Sequence, residues 1–199
     1  MRLNRVILAL IVALCPVIAF GQDRALNRIP QRVDHDPTIS NRSEQTTGFW
    51  WGADFSLGYS LRFGEPGRAN GGFGELDVNA GWRFNEYFMV GPGIGVRYYF
   101  PAHHLRAKNS PVGVPIYVGV RGNFMSNLYR KVVPYYAFDI GGTVNDGFML
   151  RPTVGLKFGN IRNALLLGLT YTGQSMKTID SMGGSKFVSF LSLRVGYEF

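Results

Sequence analysis

The chain has 199 residues, a formal net charge of +8 and only 17% charged residues. This length predicts one domain with appendages. The single cysteine, Cys15, excludes an intramolecular disulfide and a cysteine-based zinc site. After residue 21, no apolar run approaches the roughly 20 residues of a transmembrane helix, so the sequence excludes a helical membrane protein.

The first residues have the pattern of an export signal. Arg2 and Arg5 precede an apolar run over residues 6–20, and small residues at Ala19 and Gly21 suit cleavage before Gln22. We therefore predict a signal peptide over 1–21, which directs export through the inner membrane and removes the only cysteine. The next residues, 22–47, are polar and show no period, which predicts a flexible periplasmic N-terminal tail.

From Gly48 onward, apolar and polar residues alternate in eight segments separated by turn-like residues. Alternation with a period of two indicates strands, and no long helical pattern interrupts it, so the fold class is all-β. The predicted strands cover about 49–63, 73–84, 87–100, 114–125, 133–145, 147–158, 164–174 and 186–199.

Charged residues in these segments all fall on the polar face. In the first segment, Phe55 and Leu57 alternate with Asp54 and Ser56. If the polar face lines a narrow lumen, its charges should form a salt-bridge network. Surplus cations would then hydrogen-bond to water or to Asn and Tyr side chains. The predicted network contains Asp54, Arg62, Glu75, Asp77, Arg83, Arg97, Arg121, Asp139, Arg151, Lys157, Arg194 and Glu198.

Alternation alone does not decide which face is inside. A lipocalin-like soluble barrel turns its apolar face inward, whereas a membrane barrel turns it outward. Three features favour the membrane barrel. The polar face is rich in glycine, the apolar face excludes charge, and aromatic residues gather at both ends of the apolar band. Prolines inside two segments, Pro92 and Pro152, are expected at bulges.

The C-terminal sequence KFVSFLSLRVGYEF resembles the last strand of bacterial outer-membrane barrels, and residues 48–199 are similar to the small eight-stranded OmpA/OmpX type. The resemblance implies an eight-stranded antiparallel up-and-down transmembrane barrel in the outer membrane. It also implies a recognition signal for the barrel-assembly machinery, carried by Leu191, Leu193, Val195, Tyr197 and Phe199.

The pattern is specific for architecture and weak for function, because barrels of this type have different roles. We expect a structural or surface-interaction role without enzymatic activity, cofactor, metal or nucleic-acid partner. Outer-membrane lipid and lipopolysaccharide are the expected partners, and the loop candidates for contact with phosphates or a surface ligand are His103, His104, Arg106 and Lys108. A narrow channel and a lipid A-modifying enzyme remain the alternatives.

Overall fold

The computed structural model describes residues 47–61, 71–100, 111–127, 130–144, 146–176 and 186–199. Contacts divide the chain into two units, Met1–Ser40 and Asn41–Phe199, and every described residue belongs to the second. The predicted signal peptide and nearly all of the predicted tail lie outside the described residues. So do five predicted site residues: Arg62, His103, His104, Arg106 and Lys108. None of the described residues forms a helix with the length and apolarity needed to cross a membrane.

The described residues form a closed antiparallel barrel. Neighbouring strands pair around a complete ring, and the last strand pairs with the first, so the ring has no free edge. The strands are β1 (Gly48–Ser60), β2 (Gly72–Asn85), β3 (Phe88–Phe100), β4 (Val112–Gly113), β5 (Pro115–Asn123), β6 (Val132–Thr143), β7 (Gly147–Gly159), β8 (Ala164–Met176) and β9 (Lys186–Glu198).

The ring has eight strand positions, because β4 and β5 share one of them. Both pair with β3, and only Val114 separates them. The predicted eight-stranded antiparallel barrel is therefore confirmed. We call the end that holds Gly48 and Phe199 the terminal end. The opposite end, with the connections 61–71, 101–111, 144–146 and 177–185, is the distal end.

Alternation sorts the side chains as the sequence predicts. Outward positions are exposed and apolar, as at Leu193 with 61% and Leu57 with 52% exposed. Inward positions are buried, and every aspartate and glutamate of the described strands is among them. The polar face therefore lines the lumen.

The chain's last residue takes part in closing the ring between β1 and β9. The backbone N–H of Phe199 donates to the carbonyl of Trp51 at 2.8 Å, and the Trp51 N–H donates back at 3.4 Å. Outside the ring, their side chains stack with centroids 4.0 Å apart and an interplanar angle of 8°. The terminal aromatic thus extends the β1–β9 seam beyond the last assigned strand residue.

Each mid-strand proline interrupts one of the two hydrogen-bond ladders of its strand. The pairing of β2 with β3 skips from Asn79–Gly93 to Trp82–Val90, which passes over Pro92. The pairing of β7 with β8 skips from Leu150–Gly173 to Thr153–Thr170, which passes over Pro152. Proline has no N–H to donate, so the ladder opens beside each of them. The register is the same on both sides of each gap, so the prediction of bulges at these two positions is wrong.

The β2–β3 contact is closest where two glycines face each other. A Cβ atom built on Gly91 would lie 2.0 Å from the carbonyl oxygen of Ala80, and one built on Gly81 would lie 2.1 Å from that of Val90. Backbone atoms cannot move aside as a flexible side chain can. The two strands therefore need glycine at both positions.

We predict that Gly91→Ala destabilises the barrel by about 1–3 kcal/mol, because the new methyl group forces the two backbones apart. The measurement is urea unfolding in detergent micelles. Gly74→Ala is the matched control, since its Cβ would lie 3.6 Å from Leu57, an ordinary contact. Its effect should stay within about 0.5 kcal/mol. Equal losses in the two variants would contradict the close-approach argument.

Candidate functional site

The lumen is crossed by a central ion-pair network. Its members are at most 3% exposed and come from seven of the eight strand positions. The network consists of Asp54, Glu75, Asp77, Arg97, Arg121, Asp139, Arg151 and Arg194. All eight belong to the predicted set.

Asp54 on β1 is one centre of this network. Its Oδ2 accepts hydrogen bonds from Arg194 Nη2 on β9 and from Asn79 Nδ2 on β2, each at 2.7 Å, and also from Arg121 on β5. Adjacent strands supply Arg194 and Asn79, whereas Arg121 comes from a strand further round the ring. One carboxylate therefore joins four strands.

The network continues across the lumen through Arg151 on β7. Its Nη1 donates to Asp77 Oδ2 at 3.0 Å and to Glu75, and its Nη2 lies 3.2 Å from Asp139 Oδ2. Arg194 Nη1 donates to the same Asp139 oxygen at 2.9 Å. Because Arg194 also binds Asp54, these contacts join the two sides of the ring into one connected set.

Toward the distal end the network reaches the β6–β7 turn. Arg97 binds Glu75 and Gln174. The Tyr99 hydroxyl donates to Asp146 Oδ2 at 3.2 Å, and Gln174 Nε2 lies 3.4 Å from the same oxygen. Asp146 lies in the turn between β6 and β7 and was not among the residues predicted for the lumen network.

Asp146 changes the charge balance that the sequence predicts. Among the described lumen residues, Asp54, Glu75, Asp77, Asp139, Asp146 and Glu198 face Arg83, Arg97, Arg121, Arg151, Lys157 and Arg194. The two signs are therefore equal in number among the described lumen residues. The predicted surplus of cations counted Arg62, which lies outside the described residues, and did not count Asp146, so it stays a prediction for the whole lumen.

A second group of charges, the terminal-end cluster, consists of Arg83, Lys157 and Glu198. Glu198 Oε1 on β9 accepts from Lys157 Nζ on β7 at 2.7 Å and from Arg83 on β2. The Lys157 ammonium also lies 3.5 Å from the carbonyl oxygen of Ile161. All three charged side chains are almost fully buried, so the penultimate residue of the chain is fixed from inside the ring.

The distal end of the lumen is closed by a cluster of inward apolar side chains, which we call the distal plug. It contains Phe73, Tyr99, Met176, Val188 and Phe190, all at most 1% exposed. The rings of Phe73 and Phe190 meet edge to face with centroids 5.2 Å apart. The guanidinium carbon of Arg97 lies 4.5 Å from the Phe73 centroid, so the plug rests directly on the network.

Two inward tyrosines fill the space above glycines. The Tyr117 ring lies against Gly93, and the Tyr135 hydroxyl lies against Gly168, where an added Cβ would come within 2.3 Å and 2.5 Å respectively. The guanidinium carbon of Arg151 lies 4.3 Å from the Tyr117 centroid. The inward glycines thus make room for large side chains in a lumen of fixed width.

At the terminal end, two turns are joined outside the lumen. Glu86 accepts from the Ser126 hydroxyl at 3.0 Å and from the Asn127 N–H at 2.8 Å, and Tyr136 donates to the Tyr87 carbonyl at 2.9 Å. Partial burial raises the pKa of the Tyr87 phenol, and the nearby Glu86 carboxylate raises it further. These contacts link the β2–β3 turn to the β5–β6 turn.

The chemistry of the described lumen is that of a packed interior. Five of its carboxylates pair with guanidinium or ammonium groups, and the sixth, Asp146, is contacted by the Tyr99 hydroxyl and the Gln174 amide. In the described ranges, no group of three or more His, Cys, Asp or Glu side chains could hold a metal ion. The arrangement therefore fits a structural filling of the barrel.

The predicted assembly-signal residues share one position in the fold. All five lie on the outward face along the seam, from near its distal end to its terminal end, and each is between 39% and 61% exposed: Leu191, Leu193, Val195, Tyr197 and Phe199. Their recognition by an assembly machinery stays a prediction.

No protein-family model matches this chain, and no curated protein matches it. Solved structures do match, and one of them is the crystal structure of Neisserial surface protein A. The likeness has a TM-score of 0.52 at 14% sequence identity, and it covers 78% of this chain and 98% of the other. At this identity the match shows a shared fold, which is that of a surface-protein barrel.

We predict that Glu75→Leu lowers the free energy of unfolding by about 3–5 kcal/mol, because it removes a carboxylate shared by two buried arginines. Urea unfolding in micelles measures the loss. The double variant Glu75→Leu/Arg97→Leu should lose less than the sum of Glu75→Leu and Arg97→Leu, since it removes both partners of one pair. Strict additivity would show that the pair is not energetically coupled.

Proposed function

We propose that this protein is an integral outer-membrane barrel with a structural or surface-interaction role, exerted through its distal connections. The observation that carries the proposal is the separation of the two faces of the closed sheet. The outside is a belt of exposed apolar side chains. The charged side chains of the strands, wherever the structure describes their exposure, are buried inside the barrel.

The outward belt is too extensive for a protein surrounded by water. It runs over β1 to β9, with exposed side chains such as Leu76, Ile94, Val118, Val154 and Leu167 around its middle. Soluble monomers rarely expose contiguous apolar patches beyond a few hundred Å². A surrounding lipid phase is the environment in which this belt is stable, because every backbone group can pair within the closed sheet.

Aromatic side chains border the belt at both ends, as they do in membrane barrels. The exposed rings of the terminal end belong to Phe49, Trp51, Trp82, Phe84, Tyr87, Phe88, Tyr197 and Phe199. Those of the distal end belong to Tyr59, Tyr98, Phe100, Phe148 and Phe187. Rings at these heights would lie at the two lipid headgroup regions.

Loop lengths support an orientation with the terminal end in the periplasm. Three of the four distal connections span nine or more residues, whereas the β2–β3 turn at the terminal end has only two. Long loops outside and short turns inside are usual for outer-membrane barrels. A predicted N-terminal export signal agrees with this placement, and the structural neighbour is itself described as a surface protein.

The distal connections are the proposed interaction surface, held on a rigid ring. The second of them, 101–111, carries His103, His104, Arg106 and Lys108, which would meet lipopolysaccharide phosphates or a surface ligand. These four residues lie outside the described ranges, so the proposal for them rests on the sequence. We propose no cofactor and no enzymatic activity.

The narrow-channel alternative is disfavoured by the contents of the lumen. A solute would have to pass the distal plug, the central ion-pair network and the terminal-end cluster, all of which are buried and in contact with neighbours. The lipid A-modifying alternative depends on His103 and His104, which lie outside the described ranges.

The gel mobility of the protein tests the proposal. Protein from the outer-membrane fraction should migrate differently when unheated and when boiled, because a closed barrel resists detergent until heated. It should also give a β-rich circular dichroism spectrum. A water-soluble protein with no mobility shift would overturn the membrane proposal and favour a carrier of the lipocalin type.

We predict that Leu193→Arg reduces the folded protein in the outer-membrane fraction. Leu193 lies outward on β9 and is 61% exposed, so the arginine would face lipid at a cost of about 2–4 kcal/mol. Heat-modifiable protein per cell is the measurement. Asn160→Arg, which places the same side chain in an exposed turn, is the control and should insert normally. Equal insertion of both variants would argue against a lipid-facing β9.

We also predict that the purified barrel does not conduct ions in a planar bilayer. The physical reason is that paired charges and apolar side chains occupy the lumen at every level from Phe190 to Glu198. An open porin reconstituted in the same bilayer shows that insertion can be detected. Discrete conductance steps from the purified protein would favour the channel over the structural role.

A further inference from the structure

A groove of about 410 Å³ interrupts the outward belt near the distal end. It is open to the surroundings of the barrel and separate from the lumen. The side chains that line it are Leu57, Tyr59, Phe100, Leu169, Leu191 and Leu193.

An outward glycine of β2 borders the groove. Gly74 lies between β1, which carries Leu57, and β3, which carries Phe100. A Cβ atom added to Gly74 would lie 3.6 Å from the Leu57 side chain and 3.8 Å from the Phe100 ring, and both of these side chains line the groove. The Phe100 ring covers the neighbouring outward glycine, Gly72.

Polar groups stand at the distal side of the groove. The hydroxyls of Tyr171 and Ser189 lie 2.7 Å apart, and both side chains are partly buried. Tyr171 is paired with the groove residue Leu191, and Ser189 is the next outward position of β9 beyond it. Ser189 is the single polar residue among the outward positions of β9. A hydroxyl pair in an apolar belt can offer one proton to an external oxygen atom.

We propose that this groove binds an acyl chain of lipid A, with the Tyr171–Ser189 pair donating to an oxygen where the chain joins its headgroup. The inference rests on the proposed membrane location. The groove is continuous with the lipid-facing belt, so a lipid chain is the occupant available to cover it. Its distal position places it in the outer leaflet, which consists of lipopolysaccharide in outer membranes.

The groove offers a direct way to test the site by filling it. A Cβ on Gly74 would lie 3.6 Å from Leu57 and 3.8 Å from Phe100, so a side chain at this position fits without moving the strands. Gly74→Leu should therefore fold and occupy the space of the acyl chain. Ala80→Leu adds a leucine on the same face of the same strand, near the terminal end and away from the groove. It is the matched control.

The experiment measures lipid retention by native mass spectrometry. Full-chain protein, exported and extracted from the outer-membrane fraction in mild detergent, is delipidated and then exposed to purified lipid A or to phosphatidylethanolamine. The original protein and Ala80→Leu should each retain one lipid A under conditions that strip phosphatidylethanolamine. Gly74→Leu should retain at least about tenfold less, a difference of about 1.4 kcal/mol. Tyr171→Phe/Ser189→Ala should also retain less than the original protein.

Several results would overturn the inference. They are equal lipid A retention by Gly74→Leu and Ala80→Leu, equal retention of lipid A and phosphatidylethanolamine by the original protein, and full retention by the hydroxyl-free variant. Heat-modifiability of each sample separates this inference from the proposed function. A heat-modifiable protein in the outer-membrane fraction that retains no lipid A overturns only the groove site, whereas a water-soluble protein overturns both.

Discussion

The structure depends on the pairing of charges inside a ring too narrow to hold bulk water. An eight-stranded barrel leaves room for little more than its own inward side chains. A charge buried there without a partner is strongly destabilising, whereas a paired one can be tolerated. The described lumen meets this condition with equal numbers of acidic and basic side chains. The inward glycines, the tyrosines above them and the turn carboxylate of Asp146 all serve the same arrangement.

Inside and outside of the barrel therefore have separate tasks. The inside is fixed by ion pairs that reach across the ring, such as Arg151 on β7 with Asp77 on β2. The outside is nearly uniform in chemistry and suits contact with lipid. Neither surface offers much specificity for a soluble partner. Barrels of this architecture can differ in their distal connections and in local departures from the uniform belt, such as the groove lined by Leu57, Phe100 and Leu191.

Much of the fold could be predicted from the sequence because alternation is a local property. It fixed the face of each residue, the number of strands and the closed antiparallel ring. The partners in the lumen could not be predicted in the same way. Arg151 meets Glu75 across the ring, and such pairs depend on strand tilt and stagger, which alternation does not encode. Apolar residues on the polar face were overlooked for a related reason. Phe73 and Phe190 look like isolated exceptions in their own strands, and only the closed ring brings them together as the distal plug.

The origin of the shared partners has a consequence for how the chain folds. Arg194 and Glu198 both come from β9, the last strand in sequence. Without them, Asp54 and Asp139 would each lose an arginine contact, and Arg83 and Lys157 would lose their shared carboxylate. A sheet without β9 would therefore have open edges, and its buried charges would be incompletely paired. Assembly is expected to be all-or-none, with the final strand bringing edge closure and interior neutrality in a single event.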